Sequence, residues 1–151
     1  MAQYRDSLQG VHEVRITLLT RRQIRDALGV DMLAAAHDPD TLKRLLDDIA
    51  AGDLLWQMLA VIEASSVDAL LAVADGTTEE AAGAALLEAI IDFFPASSPL
   101  REPLRELARR TAAVQTEARQ DAERAMLDQV GKLNIASMAT TQETRTDGSH
   151  S

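Results

Sequence analysis

The chain has 151 residues, 46% of them hydrophobic but only 3% aromatic, and its lack of cysteine excludes disulfides and thiolate metal sites. Its 24 acidic and 15 basic residues give a net charge of −9, which argues against binding nucleic-acid phosphates or an anionic membrane surface. No apolar run is long enough to cross a membrane and no signal-peptide core is evident, so we expect a cytoplasmic protein.

The first part of the chain predicts a flexible start followed by one extended segment. Residues 1–10 are polar and are expected to form a flexible N-terminus. In residues 11–18, apolar and polar side chains alternate with the period that is typical of a strand. Because a lone strand needs a partner, this segment pairs within the chain, pairs with another chain, or forms an extended arm.

Helices are predicted from residue 20 onward, because Ala and Leu supply most of the apolar residues and both favour helices. Capping residues before apolar stretches predict helix starts, and glycines after such stretches predict helix ends. The predicted starts are Thr20 with Gln23, Asp38 before Pro39, Asp53, the pair Ser65-Ser66, and Thr77 with Glu80; the predicted ends are Gly29 and Gly52. The helix from Thr77 to Phe94 is apolar around most of its circumference, which predicts the buried centre of the fold.

A long C-terminal helix is predicted after Ser98 and Pro99, with apolar residues every three to four positions as far as Ala118. Residues 134–151 are rich in Ser, Thr and Gln and are expected to be a disordered polar tail. The predicted fold class is mainly α. Residues 11–133 are expected to form a single domain, a compact multi-helix bundle with a short N-terminal extended segment and a long C-terminal helix.

Histidines and carboxylates show no spacing that predicts a catalytic or metal site. The histidines lie on the predicted strand, in a helix connection and in the tail, without the spacing of a helical metal pair: His12, His37 and His150. The neighbours in Asp47-Asp48 and in Glu79-Glu80 diverge around a helix, so we interpret them as solvated faces or as charges favourable to a helix N-terminus. We therefore expect no enzyme, no metal and no cofactor.

Apolar residues outside the main helical stripes are the candidates for partner binding. Trp56 lies off the stripe of its helix, and the adjacent Phe93 and Phe94 cannot point the same way. One Phe is expected in the core and the other over a neighbouring helix, or an aromatic residue marks a partner groove. With apolar positions of the long helix added, the candidates are Trp56, Phe93, Phe94, Leu104, Leu107 and Val114.

Three segments between residues 11 and 107 occur in a recognisable order. They are Val14-Arg15-Ile16-Thr17, then Arg22-Gln23-Ile24-Arg25 leading into Gly29-Val30-Asp31-Met32, then Thr77 to Pro95 with Asp92-Phe93-Phe94-Pro95 at its end. In this order the chain resembles small tail assembly chaperone-like proteins of tailed phages and prophages, although residues 67–71 are apolar where the family pattern is polar or aromatic. The resemblance implies binding to the long tape measure protein, whose apolar segments stay soluble while the tail tube polymerises, and it implies no catalytic residues.

A second interpretation is a structural virion protein or a subunit of a helical oligomer. The strand of residues 11–18 would then extend a neighbour's sheet, and the long C-terminal helix would pack between copies. In both interpretations the partner is a protein, with no nucleic acid and no membrane involved, and a homo-oligomer is left open. If the chain is phage-encoded, the expected location is the cytoplasm of the bacterial host cell.

Overall fold

The computed structural model describes the backbone of residues 2–149 and the side chains of residues 2–133 apart from residue 115. The fold is mainly α, as the sequence predicts. Its two strands and seven helices, within the described residues, are β1 (Ala2–Arg5), β2 (Val11–Val14), α1 (Leu18–Leu28), α2 (Met32–Ala35), α3 (Pro39–Ala50), α4 (Asp53–Ile62), α5 (Val67–Leu71), α6 (Gly76–Phe93) and α7 (Arg101–Ser149). The chain divides into two compact units, Met1–Arg109 and Arg110–Ser151.

An antiparallel hairpin opens the chain, with Ala2 opposite Val14 and Tyr4 opposite His12. The flexible N-terminus expected for residues 1–10 is therefore wrong for residues 2–5, which form β1. The reason is that Ala2 and Tyr4 alternate with exposed residues and bury their side chains, so this short stretch gains a packed face. The strand predicted from residue 11 is confirmed for β2, and its described partner is a strand of the same chain.

Several helix ends lie where the sequence predicts them. Asp38 accepts a hydrogen bond from the backbone of Asp40 and precedes α3, with Pro39 in the first turn. Ser66 accepts from the backbone N–H of Ala69 at the start of α5. Gly29 ends α1 with φ +70°, in the left-handed region where glycine is favoured.

Three predicted helix starts are wrong by one to three residues. Thr17 caps α1, and its Oγ1 atom accepts from the backbone N–H of Thr20, the residue that was expected to be the cap. The helix α6 is capped by Asp75 instead of Thr77, because the aspartate carboxylate accepts the amide of Thr78. The helix α4 follows Gly52, which has φ +100° and leaves Asp53 inside the first turn.

The core of the unit Met1–Arg109 lies around α6. This helix presents small and large buried side chains on the same turns, so β1, β2 and α4 can pack close to it. Its fully or nearly fully buried residues are Thr78, Ala82, Ala85, Leu86, Ala89, Ile90 and Ile91. From α4, Met58 and Leu59 add side chains without exposed surface. The predicted buried centre is therefore confirmed.

The helix α7 begins at Arg101, and the turn before it contains Ser98, whose hydroxyl donates to the carbonyl of Ala36 and accepts the amide of Leu100. Its described backbone is helical to Ser149. The side chains of 134–149 and all of residues 150–151 lie outside the described residues, and the disordered tail expected for 134–151 stays a prediction. Along the described part of the chain, no helix combines the length and the apolarity needed to cross a membrane.

Candidate functional site

A cleft beside Trp56 is formed by the turn between α3 and α4, the first turns of α4 and α6, and the end of α5. Its volume is about 390 Å³, within the range of ligand-binding clefts. The turn through Gly52 places Trp56 one turn into α4, where its indole forms a wall of the cleft. The lining residues are Ala51, Gly52, Asp53, Trp56, Leu71, Ala74, Asp75, Gly76 and Glu79.

The cleft joins an apolar wall to a negative rim. Trp56 is only 5% exposed, and its Nε1 atom donates a hydrogen bond of 3.3 Å to Oε1 of Glu79. Leu71 is 46% exposed and is accessible from the cleft. The backbone N–H and the hydroxyl of Thr78 donate to Asp75 and hold the pKa of its carboxyl below the ordinary value. None of the described lining residues is basic, so the cleft suits a partner that is apolar, cationic or both.

A polar cluster joins the hairpin to the end of α4. The Nε2 atom of His12 lies 2.8 Å from Oδ2 of Asp6, and its Nδ1 atom contacts Oε1 of Glu63. The hydroxyl of Tyr4 donates to the other oxygen of Glu63 at 2.7 Å. The rings of Tyr4 and His12 are stacked with their centroids 4.6 Å apart. Four side chains, from β1, the hairpin turn, β2 and the C-cap of α4, are therefore in mutual contact.

The pKa values of this cluster follow from its contacts. Burial favours neutral His12, but the hydrogen bonds and charges of Asp6 and Glu63 outweigh burial and raise the pKa of the imidazole. The hydrogen bond from His12 and the amide of Gly10 hold the pKa of Asp6 below its ordinary value. Burial and the contact with Glu63 raise the pKa of the Tyr4 phenol. When His12 is charged, each of its ring nitrogens faces a carboxylate.

The contacts of His12 give it a structural role that the sequence does not reveal. Both ring nitrogens are engaged, which leaves no nitrogen lone pair for a substrate or a metal ion. Among the residues whose side chains are described, no group of three or more His, Cys, Asp or Glu is arranged to hold a metal ion. Recognising β1 in the sequence would have placed Tyr4 opposite His12, but no local spacing points to Glu63.

The structure separates the six predicted partner-binding residues into buried and accessible ones. Phe94 and Leu104 are 1% and 2% exposed and fill the core of the first unit, and a role for them in partner binding stays a prediction. Trp56 is nearly buried but lines the cleft, and Phe93 is partly buried. Leu107 and Val114, at 47% and 63% exposed, are accessible on α7.

Other polar side chains cap helices or pair within them, and the remaining histidines form no described cluster. Asp31 caps α2, accepting the amides of Leu33 and Ala34. Glu102 and Arg105 form an ion pair of 2.7 Å within α7. His37 is exposed between α2 and α3. His150 lies outside the described residues.

Comparison with known proteins does not place the chain in a family. A scan of protein-family models and searches of curated proteins and of solved structures all give no match.

Proposed function

We propose that this chain is a non-enzymatic interaction protein that acts like a tail assembly chaperone and binds a segment of a tape measure protein. The cleft beside Trp56 is the observation that carries the proposal. It offers an indole wall and an exposed leucine next to three carboxylates, from Asp53, Asp75 and Glu79. Such a surface suits a segment in which apolar side chains alternate with Lys or Arg, whose aliphatic stems pack on apolar walls.

The charge of the surrounding unit supports the same partner. Residues 1–109 contain 18 acidic and 10 basic residues, so this unit carries nearly all of the net charge of the chain. A strongly negative surface attracts basic segments from a distance and resists co-aggregation with an apolar partner. The proposal places the protein in the cytoplasm of the bacterial host cell, where tail assembly takes place.

Coexpression with a tape measure protein tests this proposal. We expect the wild-type chain to raise the soluble fraction of the tape measure protein and to copurify with it. Leu71→Arg should abolish both effects, because it places a bulky cation in the cleft and reduces its negative charge, at a position that is 46% exposed. Leu19→Arg is the matched control, since Leu19 is 64% exposed on α1 and does not line the cleft.

Tryptophan fluorescence gives a second measurement, because Trp56 is the only tryptophan of the chain. A soluble tape measure segment without tryptophan should shift its emission in a saturable way. Glu79→Gln, which keeps an oxygen to accept the indole N–H, should weaken this binding, and Glu88→Gln outside the cleft should not. Unchanged solubility, no copurification and no shift in emission would refute the proposed function.

A further inference from the structure

The described backbone of the second unit is one helix, and exposure is described for its side chains between residues 110 and 133. Every described side chain of α7 from residue 110 to residue 133 is exposed. Five of them are large and apolar: Val114, Met126, Leu127, Val130 and Leu133, at 63%, 67%, 69%, 47% and 68% exposure. An isolated helix gains most of its stability from packing an apolar face, so this segment calls for a partner surface.

Large apolar residues in the second half of the described part of α7 recur at the spacing of a coiled coil. Seven positions follow one another at alternating intervals of four and three residues, which places them on one face of the helix. They are Ala112, Thr116, Arg119, Glu123, Met126, Val130 and Leu133. The first half of this stripe is small or charged, and the second half is large and apolar. The charged Asp128 lies about half a turn away, on the opposite face.

The charges indicate that the occupant is a second copy of the same helix. Residues 110–133 contain four basic and four acidic residues, so two such segments meet without net repulsion. They are Arg110, Arg119, Arg124 and Lys132 with Glu117, Asp121, Glu123 and Asp128. The unit that precedes them is strongly acidic and repels a copy of itself. Self-pairing is therefore favoured through this segment.

The charges within the stripe select the orientation. A parallel pair in register would set Arg119 against Arg119 and Glu123 against Glu123, which is unfavourable. In an antiparallel pair whose two-fold axis passes at the level of Asp121, each Arg119 faces Glu123 of the second copy. The same register sets Met126 across from Thr116 and Val130 across from Ala112, so large side chains pack against small ones.

We propose that two copies of this chain associate through residues 112–133 of α7 as an antiparallel two-helix coiled coil. The interface is isologous, because the same surface is used on both copies. Each copy contributes one apolar half-stripe and one small half-stripe. None of the residues 112–133 lines the cleft beside Trp56, so the two proposals use different residues and are tested separately.

Sedimentation of the full chain over a range of concentrations tests the association. We expect a reversible monomer–dimer equilibrium in the wild-type protein. Glu123→Arg should raise the dimer dissociation constant about tenfold or more, since it sets like charges across both symmetric contacts. Asp128→Arg makes the same change of charge on the outer face and should leave the constant within about threefold.

Exchanging the charges of Arg119 and Glu123 distinguishes a weakened interface from misfolding of the variants. Arg119→Glu alone should also weaken the dimer, and Arg119→Glu combined with Glu123→Arg should restore it. Met126→Glu should weaken the dimer, whereas Ala125→Glu on the neighbouring outer position should not. Circular dichroism of each variant at concentrations that favour the dimer reports whether α7 remains helical.

Three results would overturn the proposal. A monomer at every concentration would exclude the second copy, and binding of α7 to another protein would then be the remaining explanation of the stripe. Equal effects of Glu123→Arg and Asp128→Arg would exclude this face. A dimer that is sensitive to Met126→Glu but indifferent to Glu123→Arg would exclude the antiparallel register.

Discussion

The Nε2 atom of His12 lies 2.8 Å from the Oδ2 atom of Asp6, and this contact links β2 to the turn of the N-terminal hairpin. The other ring nitrogen of His12 contacts Glu63, the residue that ends α4. Because a carboxylate accepts and never donates, both contacts are satisfied when the imidazole carries two protons. The charged form of His12 therefore stabilises the contact between the hairpin and Glu63 in the helical part of the first unit.

The stability of the protein should consequently depend on pH through this contact. The pKa of His12 is raised, so its contribution is complete below the ordinary histidine value of 6.5 and is lost as the pH rises through the raised value. The pKa of Asp6 is lowered, so its contribution is complete above the ordinary value of 3.8 and is lost as the pH falls through the lowered value. We expect the cluster to stabilise the fold most between these two ordinary values.

Thermal unfolding from pH 4 to pH 9 checks the part of this expectation that concerns His12. His12→Gln should lower the midpoint at pH 5 by several degrees and should flatten the decline that the wild-type protein shows as the pH rises. His37→Gln is the control, because His37 is exposed between two helices. Parallel pH profiles for the wild-type protein and the His12→Gln variant would contradict the assignment.

A second prediction concerns the phenol that shares Glu63 with His12. Tyr4 is 4% exposed and donates to Glu63 at 2.7 Å, so Tyr4→Phe keeps the ring and its stacking on His12 but leaves a carboxylate oxygen without this donor. We expect the free energy of unfolding to fall by about 1–2 kcal/mol. Urea denaturation measures the change. Ser7→Ala removes an exposed hydrogen bond of 2.7 Å to Val73 and should cost less than Tyr4→Phe; an equal cost would contradict the prediction.

A third prediction separates the two adjacent phenylalanines. Phe94 is 1% exposed in the core, and Phe93 is only partly buried against it. Phe94→Ala should lower the free energy of unfolding by about 3–5 kcal/mol, because it removes a buried ring and leaves a cavity. Phe93→Ala should cost less than half as much. Denaturation of both variants under identical conditions measures the difference, and equal losses would place both rings in the core.

These two phenylalanines also show how far sequence reasoning extends. The apolar pattern identifies the helix that ends at these two residues, and their adjacent positions show that the rings diverge. Which ring faces inward depends on what packs against the helix, and that is a tertiary fact. The pattern likewise finds most helices and the caps Asp38 and Ser66, because capping requires only residues that are near in sequence.

The sequence reveals less of the candidate sites, because their members are far apart along the chain. Trp56 was identified, but Leu71 and Glu79 reach the same cleft from α5 and α6. The contact of Tyr4 with Glu63 spans 59 residues, and no periodicity encodes it. The strand β1 was missed because it is four residues long and two of them are exposed, which gives too short an alternation to recognise.

The start of α6 allows a prediction that distinguishes two neighbouring polar residues. The sequence favours Thr77 as the cap, whereas in the structure the Oδ1 atom of Asp75 accepts the amide of Thr78 at 2.8 Å and its hydroxyl at 2.9 Å. Asp75→Ala should therefore lower the thermal midpoint by several degrees, and Thr77→Ala should leave it nearly unchanged. Asp75→Asn should retain most of the stability, because asparagine is an equally good cap.

The pH dependence of the Asp75→Ala variant provides the internal check on this assignment. The pKa of Asp75 is lowered by the donors on Thr78, so its contribution is present above the ordinary value of 3.8 and is lost as the pH falls through the lowered value. The difference in midpoint between the wild-type protein and Asp75→Ala should thus shrink in strong acid. If Thr77→Ala proves the more costly substitution, or if the difference persists unchanged in acid, the cap of the central helix is not Asp75.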